Sequence, residues 1–284
     1  MPHEARITRF APSPTGLLHL GHAFSALIAA GRGDTFLLRL EDIDTARCKP
    51  AFEGSIYDDL RWLGLTWPSP VWRQSDRLYH YTSALARLSA MGLTYPCRCS
   101  RADIRAALSA PQEGAPIGPD GPLYPGTCRN RTMADAQPTD AIRLDIARAS
   151  ALTGPVTFTD TGPGYSQRVH QMTPSDMAHS IGDIVLARRD IGTSYHIAVV
   201  VDDAAQGITE VTRGADLFAA TFIHVLLQRL LALPTPAYHH HRLIRDDEGK
   251  RLAKRDAARA IRSYRDAGAT PSDIRDLLNL PSAP

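Results

Sequence analysis

The most constraining stretch of this chain lies near its start. There Arg9-Phe10-Ala11-Pro12-Ser13-Pro14-Thr15-Gly16-Leu17-Leu18-His19-Leu20-Gly21-His22 follows a short apolar run and leads into Ala23-Phe24-Ser25-Ala26-Leu27-Ile28-Ala29-Ala30. The order reads as a strand, a proline-stiffened loop and a helix. Pro12 and Pro14 fix extended backbone, Gly16 permits a turn, and Gly21 lets a ligand approach the first helical turn without meeting a Cβ. A helix N-terminus offers unpaired N–H groups and the positive end of a dipole to a phosphate, and His19 and His22 add donors there. The stretch therefore predicts a nucleotide site on a parallel α/β sheet.

The 284 residues are enough to bury a full core and hold one large domain with an insert or appendage. No apolar run approaches the roughly 18 residues needed to span a bilayer, and the N-terminus lacks the pattern of a signal peptide, so a cytoplasmic protein is expected. Net charge is only +2, so contact with nucleic acid must come from a local basic surface. Of the 32 basic residues only Lys49, Lys250 and Lys254 are lysines, and two of these share one loop. A compact ammonium on a flexible stem is hard to replace by a guanidinium where it must follow a moving phosphate charge.

The Arg9–His22 stretch resembles the "HIGH" signature of class I aminoacyl-tRNA synthetases, in the version carried by the glutamyl and glutaminyl enzymes. Arg245-Asp246-Asp247-Glu248-Gly249-Lys250-Arg251-Leu252-Ala253-Lys254-Arg255, after a short strand expected at His241–Ile244, is similar to their "KMSKS" loop. In that frame Arg251 replaces the first lysine and Ala253 the serine, while Lys254 is retained. The resemblance implies a Rossmann-type catalytic core in which His19, His22 and Lys254 are catalytic. His19, Gly21, His22 and Lys254 would hold ATP with Mg2+, and Lys254 would neutralise charge developing on pyrophosphate.

The run Thr35–Leu40 reads as a buried parallel strand, which puts Glu41 at its carboxyl end. The resemblance implies that Glu41 holds the α-ammonium of L-glutamate and that Arg9 meets its side-chain carboxylate in a bidentate pair. Phe10, Ala11, Pro12 and Ser13 would complete that wall. Ser194–Asp203 and Val211–Leu217 are similar to two further family segments. From them Tyr195 and Arg213 would finish the glutamate pocket, Ala198–Val201 would be core strand, and Asp202, Asp203 and Gly214 would shape strand-to-helix turns.

Four cysteines in a chain without a signal peptide favour metal binding or unbridged thiols over disulfides. Cys97, Cys99 and Cys128 cluster, and Cys48 reads as a bystander. No histidine occurs between His80 and His170, so a fourth ligand would be a carboxylate, water or Tyr124. The family resemblance implies one structural zinc on Cys97, Cys99, Tyr124 and Cys128. The segment Ala107–Pro122, dense in Ala, Pro and Gly, reads as a loop insertion.

Helical periodicity marks Ile56–Leu63, Leu78–Met91, Leu217–Leu233 and Arg255–Ala267, while Ile142–Ile146 and Val156–Thr159 alternate like strands. The expected organisation is a first catalytic half over 1–94, a zinc-bearing β-rich insert over 95–170, a second catalytic half over 171–237, and a loop with short helices over 238–284. With only 30 residues after Lys254, no anticodon-reading domain is expected. Such a layout is similar to a truncated branch of the family that esterifies glutamate onto the queuosine base in the anticodon loop of tRNA(Asp). The expected partners are thus L-glutamate, ATP and queuosine-bearing tRNA(Asp), with no membrane, and the chain is expected to be a monomer. Three other readings fit the same residues: charging of the 3′ end of tRNA(Glu), a tRNA-free adenylating ligase, or an inactive RNA-binding paralogue.

Overall fold

A computed structural model describes residues 5–108, 117–165, 168–244 and 260–281. The first unit is the expected one: β1 (Ile7–Phe10), a proline loop, α1 (Leu20–Arg32) and β2 (Thr35–Leu40). Gly33 closes α1 where β1 and β2 pack tightly, since a Cβ there would collide with the Thr8 hydroxyl and the Thr35 carbonyl. Then come α2 (Pro50–Trp62), started by Pro50, β3 (Trp72–Arg73) and α3 (Leu78–Ala90). Strands β1, β2 and β3 form a parallel sheet.

Chain from β4 (Thr94–Cys97) onward leaves that sheet through α4 (Arg101–Leu108), the hairpin β5 (Ile117–Gly118) and β6 (Gly121–Pro122), β7 (Ala141–Leu144) and α5 (Ile146–Thr153). It continues through β8 (Val156–Thr159), β9 (Val169–Met172), α6 (Pro174–Ser180) and β10 (Val185–Ala187). β7 pairs antiparallel with β4 on one side and β10 on the other, so this sheet takes a strand from beyond residue 170. β8 pairs with β9, and just past its end Asp160 bridges Tyr238 of the main sheet.

The return to parallel order runs through α7 (Tyr195–Ala205), β11 (Glu210–Gly214), α8 (Phe218–Leu230) and β12 (Ala237–His241). Strand β12 thus ends where the sequence led us to expect a strand to begin, because its Tyr-His-His-His run is polar in composition yet buried. Thr209 donates its N–H to the Ile7 carbonyl at 3.0 Å, which sets the parallel β11–β12 pair against β1. The connections from β1 and β11 diverge to opposite sides, which makes the gap between their carboxyl ends the switch point where open α/β sheets bind ligands. α9 (Ile261–Asp266) and α10 (Pro271–Leu277) close the fold; Ile261, Ile274 and Leu278 are buried with α1, β2 and α2.

Ala198–Val201, expected as core strand, lies in α7. Its apolar run is buried on nearly all sides, so it carries no amphipathic period to mark it as helical. Both Thr-Pro-Ser-Asp sequences, at 173–176 and 270–273, form capping boxes in which the threonine and aspartate bond each other's backbone N–H.

Candidate active site

Glu41 stands at the end of β2, where its N–H donates to the Pro12 carbonyl at 3.1 Å. Lys49, just before α2, donates likewise to the Pro14 carbonyl at 3.0 Å, so the proline loop is stitched to the next strand and helix. Burial pushes the Glu41 carboxyl up to about 6, against the pull of Arg39 and Arg9.

Behind it lies an ion network absent from the sequence-based expectations. Arg39 is wholly buried and donates to Asp203 at 2.8 Å, to Gln206 at 2.7 Å and to Glu41 at 3.5 Å. Arg9 Nε and Nη2 meet the two oxygens of the Asp203 carboxylate at 3.0 and 3.1 Å, and Nη1 donates to the Thr212 carbonyl at 3.3 Å. The bidentate face of Arg9 expected for the substrate is therefore occupied by Asp203. Burial alone would raise the Asp203 carboxyl, but Arg9 and Arg39 hold it below the usual range. Asp202 accepts from Tyr81 and Arg77, each at 2.7 Å. Asp202 and Asp203 thus sit inside α7 as the hub of this network and do not shape strand-to-helix turns.

Tyr195 opens α7 and is half-buried; burial raises its phenol, Arg213 and Arg9 oppose that, and Glu41 and Asp203 add to it. The predicted pocket residues are thus within electrostatic reach of one another. Arg213, near the end of β11, is buried and donates to His224 Nδ1 at 2.9 Å, to His240 Nε2 at 3.3 Å and to the Thr221 hydroxyl. His240 in turn bonds Asp160 through Nδ1. Phe10 faces the core, so only its backbone is left for a ligand, while Ser13 lines the cavity described below. Ala11 is partly and Pro12 fully buried.

At the start of α1 the two histidines behave as a pair. His19 Nδ1 accepts the Gly21 N–H at 3.1 Å and His22 Nδ1 accepts the His19 N–H at 3.2 Å. In a neutral ring this leaves the proton on Nε2 of each. The atoms nearest a Cβ built on Gly21 are those of the His19 ring, at 3.0 and 3.1 Å, so the glycine makes room for this cap. Lys250, Arg251, Ala253 and Lys254, with the loop that carries them, lie outside the described residues.

A cavity of about 1430 Å³ runs from Ser13, Thr15 and Glu41 past Tyr195 to Cys99 and Tyr124. Cys48, expected as a bystander, is in its wall. At the far end the sulfurs of Cys97, Cys99 and Cys128 lie within 4.8 Å of one another. The Tyr124 hydroxyl is 3.4 Å from Sγ of both Cys97 and Cys99 and accepts the Cys128 N–H at 2.8 Å. Burial would raise the Cys128 thiol, but hydrogen bonds from Tyr124, the Arg98 backbone and the other thiols bring it down to about 7. Ligand sulfurs around a tetrahedral zinc stand roughly 3.8 Å apart, given Zn–S bonds of about 2.3 Å, so the residues present fit a metal ion. Arg189 ties this end to the segment before α7, donating to the Cys99 carbonyl at 2.6 Å.

The profile of the tRNA synthetases class I (E and Q), catalytic domain, matches residues 6–281. A Glutamyl-Q tRNA(Asp) synthetase of Rhodobacter capsulatus is 60% identical over 96% of this chain and 100% of its own length. Another of that name, from Symbiobacterium thermophilum, is 42% identical over 94% of this chain and 83% of its own. Among solved structures, a glutamate tRNA ligase from Elizabethkingia meningosepticum in complex with its amino acid is similar at a TM-score of 0.69 and 27% identity, over 89% of this chain; the match spans 52% of that longer protein. A Mycobacterium tuberculosis methionyl-tRNA synthetase, at 11% identity and a TM-score of 0.57, shares the fold alone. The chain belongs to the class I tRNA synthetases of the glutamate and glutamine type, in the branch of the Glutamyl-Q tRNA(Asp) synthetases.

Proposed function

We propose that this chain is a ligase that activates L-glutamate with ATP and transfers it to the queuosine base in the anticodon loop of tRNA(Asp). The observation that carries the reading is 60% identity along the whole length of a Glutamyl-Q tRNA(Asp) synthetase. The site supports it chemically. The glutamate α-carboxylate attacks the α-phosphate of ATP, giving glutamyl-adenylate and releasing pyrophosphate; a queuosine hydroxyl then attacks the activated carbonyl and releases AMP. Glu41 would hold the α-ammonium, and Arg213 and Arg9 supply the positive field for the acidic side chain. The two imidazoles at the start of α1 and Lys254 would stabilise phosphate charge, with Mg2+ accompanying ATP. No covalent nucleophile is required.

Cys97, Cys99, Tyr124 and Cys128 would hold one zinc. Bound there it would cross-link the loops of the antiparallel sheet and supply no step of the reaction. The organisation over 1–94, 95–170, 171–237 and 238–284 belongs to this reading, as do a single-chain enzyme and a cytoplasmic location. Among the described residues no helix is long and apolar enough to cross a membrane.

Labelled glutamate is expected to attach to tRNA(Asp) from cells that make queuosine and not to tRNA(Asp) lacking it. After nuclease cleavage the label should stay with the anticodon fragment. Label at the 3′ end of tRNA(Glu), or equal labelling of both tRNA(Asp) samples, would overturn the acceptor. Absence of glutamate-dependent ATP–pyrophosphate exchange would overturn the activity itself.

A further inference from the structure

His196, next to Tyr195 at the start of α7, is buried but reaches the cavity. Its two nitrogens are fixed in different roles by a directional chain. Arg213 can only donate, so His224 Nδ1, 2.9 Å from Arg213 Nη1, must accept, and the proton of a neutral His224 lies on Nε2. Burial and then the charge of Arg213 keep His224 neutral. That Nε2–H donates to His196 Nδ1 at 3.1 Å, which leaves His196 with its own proton on Nε2, facing the cavity.

The N–H so presented donates to the carboxylate of Asp120, with separations of 2.9 and 3.1 Å to its two oxygens. Asp120 lies in the turn between β5 and β6 and its side chain is 52% exposed, against 7% for His196. The receptor is built into the core and its occupant hangs from a surface hairpin. A second charged group lines the same cavity. Arg143 is buried on the same cavity wall, stacked 3.9 Å from the Tyr124 ring centre, with one Nη donating to the Asp183 carbonyl at 2.8 Å and a buried Nε that has no hydrogen-bond partner. Burial would raise the Asp120 carboxyl, yet the His196 hydrogen bond and the Arg143 charge bring it below the usual range. The pair is thus a site for a carboxylate.

We propose that His196, backed by Arg143, is a specificity-determining residue whose Nε2–H binds a carboxylate of the amino-acid substrate, and that Asp120 competes with the substrate for it. The proposal rests on the glutamate reading above. An internal competitor raises the apparent KM by the reciprocal of the fraction of chains in which it is displaced.

Asp120→Ala should therefore lower the KM for glutamate in ATP–pyrophosphate exchange by about three- to tenfold, with kcat within about twofold. His196→Phe should raise that KM by about tenfold or more, the loss of one hydrogen bond to a charged group. Adding Asp120→Ala to His196→Phe should then change nothing further, and His196→Gln, which restores an N–H, should recover part of the affinity. Asp120→Ala changes only the exposed hairpin, so it remains informative if His196→Phe fails to fold. A KM for glutamate unchanged or raised in Asp120→Ala would overturn the proposal, as would a shift confined to the KM for tRNA, which would make this a phosphate site. Wild-type protein without glutamate-dependent exchange would instead overturn the reading on which it rests.

Discussion

The two ends of the cavity are built on opposite principles. At the Glu41 end the buried charged groups described above are paired within the protein: Arg39 and Arg9 share Asp203, and Asp202 is held by Tyr81 and Arg77. The groups come from β1, β2, α7 and the start of α3, so folding alone fixes them. At the Tyr124 end three thiols and a phenol converge from the end of β4 and the loops beyond it, and they bond one another. A metal cation would bind all four of these groups at once. One end should thus be sensitive to losing any member of an ion network, and the other to losing a metal.

The largest effect should come from breaking the first network at its hub. Asp203→Asn leaves Arg9 and Arg39 sharing a neutral amide in the interior, a change of the kind that costs about 3–5 kcal/mol. Urea unfolding should show it, and a loss below about 1 kcal/mol would mean that this end is not self-held. Lys254→Ala should separate chemistry from stability. We expect about a hundredfold loss of exchange rate, roughly 3 kcal/mol in the transition state, with an unchanged unfolding midpoint. Near-normal exchange would move the role to Lys250.

At the Tyr124 end, Cys97→Ser with Cys99→Ser should take zinc from about one per chain to none and lower stability by about 3 kcal/mol at saturating metal. The KM for glutamate should stay within about threefold, since the Glu41 end needs no ion. Metal analysis finding no zinc in native protein would erase the contrast between the ends.

The smallest effect concerns pH. Glu41 titrates near 6, raised by burial, so its carboxylate is charged above that value and neutral below it. The KM for glutamate should accordingly rise as pH falls, by about fourfold from pH 7.5 to 5.5, and Glu41→Gln should flatten the profile. A wild-type profile as flat as that of Glu41→Gln would remove Glu41 from the ammonium site.

How much of this was legible in the sequence follows from the range of each interaction. The β1–loop–α1 unit, the end of β2 and the thiol cluster are written in short stretches, and the structure has them where the residues placed them. Arg39 pairs with Asp203 across 164 positions and Arg9 with Asp203 across 194, and no local pattern encodes such a pairing. The adjacent acids in the apolar run of α7 were the available signal, since two charges there need partners. Ala198–Val201 misled because an apolar run buried all round looks the same as strand or helix. His196 and Asp120 stand 76 positions apart, one in a family segment and the other in an insertion, so neither pointed to the other.

The bridge from Asp160 to Tyr238 bears on how separable the parts of this molecule are. Phe158, two residues earlier, packs its ring against Phe218 and Phe222 of α8 and Tyr238 of β12. Asp160 itself bonds His240, which accepts from Arg213. The segment around β8 is therefore tied to α8 and β12. Cutting the chain at 95 and 170 would remove an aromatic plug and a carboxylate that α8 and β12 pack on, so a graft between relatives would have to leave the segment from Val156 to Asp160 with its host.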